Sequence, residues 1–185
     1  PGDNRGIDVS SSLDGKTVVI GGNTLAIWKH NGTTWETFPL IPDAGDKIAL
    51  SGDGNHILVN SKVSKQKLYT YDVSTSTWQV EMETNCPAYS WYRYPTCINF
   101  DGTVIAMLDE RNSKVIVYKN KTVFQEIPLL FVNTSPEKIS VFLSCKGTRL
   151  IIIDNLADNE TVPQAGKMYV YDYNNYFYFN FDVSA

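Results

Sequence analysis

The chain has 185 residues and a formal net charge of −4, with 43% hydrophobic and 12% aromatic residues. This length predicts a single domain spanning residues 1–185. The 16 basic residues are scattered among 20 acidic ones, which excludes the electrostatic footprint of a nucleic-acid-binding protein. No stretch approaches the roughly 18 consecutive apolar residues of a membrane span.

The first half of the chain consists of two units of four short strands. Each strand is rich in β-branched and aromatic residues and is bounded by Gly, Asp, Ser or Asn. Pro39 and Pro42 break the pattern after the first unit. The predicted strands are Ile7–Ser11, Thr17–Ile20, Thr24–Lys29 and Thr34–Phe38, then Lys47–Leu50, His56–Asn60, Lys67–Asp72 and Trp78–Val80.

The second half repeats this organisation. Pro128 and Pro136 bracket the connector between its two units. No stretch sustains a helical period, so no long helix is expected. The predicted strands are Thr96–Phe100, Val104–Leu108, Lys114–Lys119 and Val123–Ile127, then Lys138–Leu143, Thr148–Ile153, Lys167–Tyr173 and Tyr176–Val183.

Three markers recur in the same order in all four units. A turn glycine precedes an aliphatic run, an aromatic residue closes a later strand, and a second aromatic follows six or seven residues on. The glycines are spaced by 39, 48 and 45 residues. The markers are Gly15, Gly54, Gly102 and Gly147, then Trp28, Tyr71, Tyr118 and Tyr171, then Trp35, Trp78, Phe124 and Phe177.

A repeat of about 40 to 50 residues that holds four strands is typical of a β-propeller blade. We therefore predict an all-β propeller with four blades of four antiparallel strands, at residues 6–42, 43–83, 96–128 and 137–183. Either the ring closes with four blades or it is part of a larger propeller. The aromatic markers are expected to pack between blades.

The segment Tyr71-Asp72-Val73-Ser74-Thr75-Ser76-Thr77-Trp78 resembles the YDxxTxxW segment of kelch repeats. Ile20-Gly21-Gly22 resembles the double glycine of the same repeats, and the turns LDGK and GDGN resemble those of WD40-like and PD40-like blades. The resemblance covers essentially the whole chain and implies a propeller, without assigning a subfamily.

Propeller geometry sorts the loops into two faces. Loops between second and third strands, and connections from one blade to the next, emerge on one face, which carries all the long loops. Because recognition residues concentrate on long loops of rigid scaffolds, this face is the predicted binding face. The candidate binding residues are Tyr89, Trp91, Tyr92, Arg93, Tyr94, Asp109, Arg111 and Asp158.

The loop at residues 84–95 is the most unusual of these. Aromatic and Arg side chains supply contact area at a low entropy cost, which favours a recognition role. The alternative is that these rings plug the central channel or cap the core. Cys86 and Cys97 flank the loop and form a candidate disulfide, whereas Cys145 is left over; three reduced cysteines are the alternative.

Four sequons, at Asn31, Asn120, Asn133 and Asn159, fall in predicted turns or connectors and are candidate glycosylation sites. They favour an extracellular location, or one on a cell or virus-particle surface, over a cytoplasmic one. The sequence lacks metal-site spacing, and we expect no metal and no cofactor.

Three functions follow from this pattern. The favoured one is a non-catalytic interaction or structural module that docks a protein partner on the loop-rich face. The second is a glycan-binding propeller in which Trp91 and neighbouring Tyr residues stack on sugars. The third is a glycoside-acting hydrolase, for which Asp109, Glu110, Asp154 and Asp158 would have to converge. Loop carboxylates are more often simply solvated.

Overall fold

The computed structural model is an all-β, four-bladed β-propeller, which confirms the predicted fold class. The structure describes residues 5–42, 45, 47–60, 66–84, 96–109, 112–129, 139–154, 167–173 and 177–182, with the backbone alone for 5–7 and 177–182. Within these ranges every regular element is a β-strand. The described residues include no helix that could cross a membrane.

Blade 1 is a five-stranded sheet. Its strands are β1 (Arg5–Ser11), β2 (Thr17–Gly22), β3 (Thr24–His30), β4 (Trp35–Thr37) and β5 (Ile41–Pro42). The break in the pattern at Pro39 lies within the blade predicted at residues 6–42, because Ile41 of β5 pairs with Leu25 of β3. Pro39 has no N–H for the ladder, so the outer edge is interrupted there and then resumes.

Blades 2 to 4 are four-stranded antiparallel meanders in chain order. Two predicted bounds in these blades change by more than one residue: the last strand of blade 2 continues to Thr84, and Phe100 belongs to a turn rather than a strand. The strands are β6 (Lys47–Leu50), β7 (His56–Asn60), β8 (Gln66–Asp72) and β9 (Thr77–Thr84); β10 (Thr96–Ile98), β11 (Val104–Asp109), β12 (Lys114–Lys119) and β13 (Thr122–Pro128); β14 (Ile139–Leu143), β15 (Arg149–Asp154), β16 (Lys167–Asp172) and β17 (Phe177–Asp182).

The core is divided among three interfaces between consecutive blades. Successive residues of a strand face opposite sides of its sheet, and the inner strands are apolar on both sides. In β11, Ile105 and Met107 pack against blade 2, whereas Val104, Ala106 and Leu108 pack against blade 4. Each fully buried aliphatic side chain contributes about 1.5 to 3 kcal/mol of transfer free energy, so stacking the blades stabilises the fold.

The turn between the first and second strands has the same internal structure in blades 1 to 3. A Ser or Asn side chain accepts a hydrogen bond from the first N–H of the second strand, as Ser12 Oγ does from Thr17 N at 2.9 Å and Asn99 Oδ1 does from Val104 N at 2.9 Å. An Asp two residues later accepts from the backbone beyond the glycine, as Asp14 does from Lys16 N at 3.0 Å. Blade 4 keeps Ser144 but has Lys146 in place of the Asp.

Backbone hydrogen bonds join these turns from blade to blade. Leu13 N donates to Gly52 O, Asp53 N to Phe100 O and Phe100 N to Cys145 O, each at 2.9 Å. The turns therefore form a belt on the short-turn face of the propeller, opposite the loop-rich face. The four sheets are held at fixed orientations by this belt and by the interblade cores.

Candidate functional site

The loop-rich face is formed by the ends of the second and fourth strands and the starts of the first and third. Of the eight predicted binding residues, Asp109 alone is described. Tyr89, Trp91, Tyr92, Arg93, Tyr94, Arg111 and Asp158 lie outside the described residues, so their roles stay predictions.

Asp109 is the last residue of β11 and is buried, with 3% of its surface exposed. Its carboxylate accepts hydrogen bonds from Asn112 N at 3.2 Å and from Asn112 Nδ2 at 2.8 Å. These two bonds fold the chain back at the end of the strand. Asp109 therefore anchors the base of the loop at residues 109–113.

A buried polar side chain occupies the position of Asp109 in blade 4, and another lies one position earlier in blade 2. Asn60 ends β7 with 6% exposure and Asp154 ends β15 with none, whereas Gly22 ends β2. Each of these residues follows its turn glycine by six or seven positions. That spacing is a usable sequence signal for such residues; Asp109 and Asp154 were predicted from their loops instead, and Asn60 was missed.

The same face holds buried polar atoms without partners. Gln66 begins β8 and Thr84 ends β9; they are opposite each other in the ladder and are 2% and 8% exposed. Gln66 Oε1 and Thr84 Oγ1 make no hydrogen bond to any described residue, and neither do the hydroxyls of Thr24 and Thr96 on this face. An unpaired buried polar atom costs about 1 to 3 kcal/mol, so these atoms mark the top of blade 2 as a part of this face where the packing is not optimised for stability alone.

The predicted carboxylate set of a hydrolase is described only in part and stays a prediction. Asp109 and Asp154 stand at the ends of separate blades, and Glu110 and Asp158 lie outside the described ranges. Within those ranges no group of three or more His, Cys, Asp or Glu side chains is arranged to hold a metal ion.

The cysteines differ in their surroundings. Cys97 is a free thiol whose Sγ donates to Ala106 O at 3.9 Å, and burial raises the pKa of this thiol above its ordinary value. Cys86 lies outside the described residues, so the candidate bridge between Cys86 and Cys97 stays a prediction. Cys145 is free and exposed on the short-turn face.

Two of the predicted glycosylation sites are described, and both lie in exposed turns between third and fourth strands. Asn31 organises its turn by accepting from Thr33 N and Thr34 N at 2.9 Å. Asn120 occupies a turn with a φ of 48°. Asn133 and Asn159 lie outside the described residues. Both described sequons emerge on the short-turn face, away from the candidate site.

Several aromatic markers pack between blades. Phe38 of blade 1 meets Tyr71 and Trp78 of blade 2 edge to face, with ring centroids 5.6 and 6.5 Å apart. Phe124 of blade 3 meets Tyr173 of blade 4 with centroids 5.4 Å apart. These contacts tie the outer strands of neighbouring blades together.

No protein-family model and no curated protein matches the sequence. Among solved structures, TolB from Acinetobacter baumannii is similar over 94% of this chain, with 16% identity and a TM-score of 0.53. AztD from Citrobacter koseri is similar over 96% of this chain, with 12% identity and a TM-score of 0.62. This chain spans 42% and 46% of the two neighbours, less than half of each. At these identities the likeness shows the β-propeller fold alone, and the resemblance to kelch or WD40 blades stays a prediction.

Proposed function

We propose that the chain is a non-catalytic interaction module that binds a protein partner on its loop-rich face. The observation that carries the proposal is a pair of buried polar atoms, Gln66 Oε1 and Thr84 Oγ1, that have no partner among the described residues at the top of blade 2. Thr84 directly precedes the aromatic and Arg-containing loop, so both buried side chains lie at the base of the predicted binding loop.

The scaffold suits this role because it holds the loop bases rigidly. Leu58 and Leu68, in the strands below Gln66, are 0% and 2% exposed. Binding then orders few additional groups, which lowers the entropy cost of association.

A position outside the cell or on a particle surface, within a larger assembly, fits the exposed sequons. Asn31 and Asn120 are on the short-turn face, so glycans there would leave the loop-rich face accessible. Intact-mass analysis of the protein from its natural source tests this placement, because a secreted form carries added glycan mass at these residues.

The proposal is tested by affinity capture with the immobilised chain, followed by quantitative mass spectrometry. The variants Trp91→Ala, Arg93→Ala and Gln66→Leu should each reduce capture of the specific partner at least about tenfold. Lys146→Ala, on the short-turn face, is the matched control and should capture as the wild type does. Equal capture by all four variants would show that another surface binds.

A glycan array separates the protein partner from the alternative. A specific glycan signal that disappears in Trp91→Ala would show that this face binds sugars rather than a protein. A blank array together with loop-dependent protein capture supports the proposal.

A further inference from the structure

The three interblade interfaces are built alike. The turn glycine of each blade packs against the start of the preceding blade's second strand: Gly54 against Thr17, Gly102 against His56 and Gly147 against Val104. The ammonium group of Lys29 in blade 1 also donates a hydrogen bond to Asn55 Oδ1 of blade 2 at 2.7 Å. We call the side of a blade that faces the preceding blade its leading side, and the side that faces the following blade its trailing side. At each of these interfaces the leading side of one blade fits the trailing side of the blade before it.

The leading side of blade 1 is open among the described residues. A methyl group on Gly15 would meet no atom within 4 Å. Val9 is 66% exposed, whereas the equivalent residues Ile48 and Val141 are 6% and 4% exposed. Leu13 is 76% exposed, whereas the equivalent Phe100 lies against Gly52 of the preceding turn.

The trailing side of blade 4 is open in the same way. Ile151 pairs with Val170 and Ile153 with Met168, and together they present an apolar surface on the side of the sheet that faces away from blade 3. All four are partly exposed, whereas the equivalents of Ile151 in blades 1 to 3, namely Val19, Leu58 and Ala106, have 0% exposure. The described strands of blade 4 make no comparable contact with those of blade 1.

The two open sides are also complementary in charge. Arg149 begins the second strand of blade 4 and is 64% exposed, with Nε donating to Asp172 at 2.9 Å. On blade 1, Asp14 and Lys16 are 58% and 60% exposed at the turn that carries Gly15. Arg149 of blade 4 occupies the position of Thr17 in blade 1, and Asp172 occupies that of Lys29. The register of the second and third strands pairs Arg149 with Asp172 just as it pairs Thr17 with Lys29. Lys16 is the equivalent of Asn55.

We propose that the trailing side of blade 4 binds the leading side of blade 1 in a second copy of this chain. The contact repeats the internal interface: Gly15 packs on Arg149, Val9 and Leu13 are covered, and the Asp14 and Lys16 pair meets the Arg149 and Asp172 pair with opposite charges facing. Two copies joined at both sides form a closed ring of eight blades, within the range of four to eight that propellers have. A head-to-tail interface of this kind produces a closed ring when its rotation closes.

The first test is the mass of the 185-residue chain by sedimentation at increasing concentration. The chain is 20.8 kDa, and the expected species has twice that mass. Arg149→Glu should weaken association at least about tenfold. Lys119→Glu changes the net charge equally, at an exposed residue away from both open sides, and should leave association unchanged.

The second test locates the interface. In the internal belt, Leu13, Phe100 and Cys145 are equivalent residues, and Phe100 lies over Gly52 of the preceding blade. Leu13→Cys should therefore form a disulfide with Cys145 of the second copy under mild oxidation. The double variant Leu13→Cys with Cys145→Ser is the control and should give no covalent dimer.

A monomer at every concentration up to about 100 µM would overturn the proposal. So would a dimer that Arg149→Glu leaves intact and Leu13→Cys does not crosslink, because its interface would be elsewhere. A series of species larger than the dimer would show that two copies do not form a closed ring. Thermal unfolding of each variant checks that it remains folded.

Discussion

Gly102 lies directly against the imidazole ring of His56, so the turn of blade 3 meets the second strand of blade 2 with no side chain between them. The contact recurs at Gly54 and Gly147, and it explains why the glycine is the most regular marker of the repeat. The backbone at this position also needs a positive φ, which is +75° at Gly102. Two independent requirements therefore coincide at one residue.

Gly102→Ala is expected to lower the free energy of unfolding by about 2 to 4 kcal/mol. The left-handed backbone costs about 1 kcal/mol, and the methyl group must also displace the His56 ring. Gly15→Ala is the matched variant, since its φ is +69° but its methyl group meets nothing; it should lose about 1 kcal/mol. Urea unfolding at equal, low protein concentration measures both, and equal losses would contradict the packing argument.

The buried side chain of Asn99 is predicted to be replaceable by Ser but not by Ala. Its Oδ1 accepts from Val104 N at 2.9 Å and its Nδ2 donates to Asp101 Oδ1 at 2.8 Å. Asn99→Ala leaves the Val104 N–H buried without a partner and should cost about 2 kcal/mol. Asn99→Ser should cost under about 1 kcal/mol, because Ser12 and Ser51 make the same bonds in blades 1 and 2. Urea unfolding of both variants provides the comparison, and similar losses would show that the cap contributes little.

The fold could be predicted because turn chemistry and alternation repeat with the blade. A glycine after Ser-x-Asp or Asn-x-Asp, followed by apolar residues on both sides of a strand, indicates a twisted sheet that is covered on both faces. What the pattern missed depends on tertiary contacts. Phe100 is apolar and follows a strand, yet Asn99 ends that strand by bonding to Val104 N. Ile41 pairs with Leu25 although Pro39, two residues earlier, interrupts the strand pattern.

The site was harder to predict than the fold. Asp109 could be placed on the loop-rich face by counting strands, and the structure puts it there. Gln66 could not be singled out, because a glutamine at the start of a polar-flanked strand normally points to solvent. Its burial is produced by the packing of blade 2 against blade 3, which the local sequence does not encode.

The stability should depend on pH through Asp101. The Thr103 hydroxyl, the Thr103 N–H and the Asn99 amide donate to this carboxylate and lower its pKa from 3.8, although burial acts in the opposite direction. A lowered folded-state pKa means that the stabilisation is fully present above pH 3.8 and is lost as the pH falls through the lowered value. The difference in unfolding free energy between wild type and Asp101→Asn should therefore shrink in acid. Thr103→Val removes the largest cause, so this variant should show a weaker pH dependence, and an unchanged dependence would refute the assignment.

Lys146→Asp is expected to raise the free energy of unfolding by about 0.5 to 1 kcal/mol, whereas most point substitutions lower it. Ser144 Oγ already accepts from Thr148 N at 3.1 Å and Arg149 N at 3.0 Å, so the turn has the geometry of its counterparts. An Asp there would accept from the Ser144 hydroxyl, as Asp14 does from Ser12 at 2.7 Å. Lys146→Ala controls for loss of the positive charge. The melting temperature of the Asp variant should exceed that of both wild type and Lys146→Ala.

The two described cysteines should differ strongly in reactivity. Cys145 is exposed, whereas Cys97 packs against the core between blades 3 and 4 and burial raises its pKa, so little of it is thiolate near neutral pH. Iodoacetamide labelling of the native protein at pH 8, followed by peptide mapping, should modify Cys145 at least about tenfold faster than Cys97. Denaturation without reductant then tests the bridge to Cys86: a free Cys97 labels fully at this step, whereas a bridged one needs a reductant first. Rapid native labelling of Cys97 would mean that the core between blades 3 and 4 opens readily.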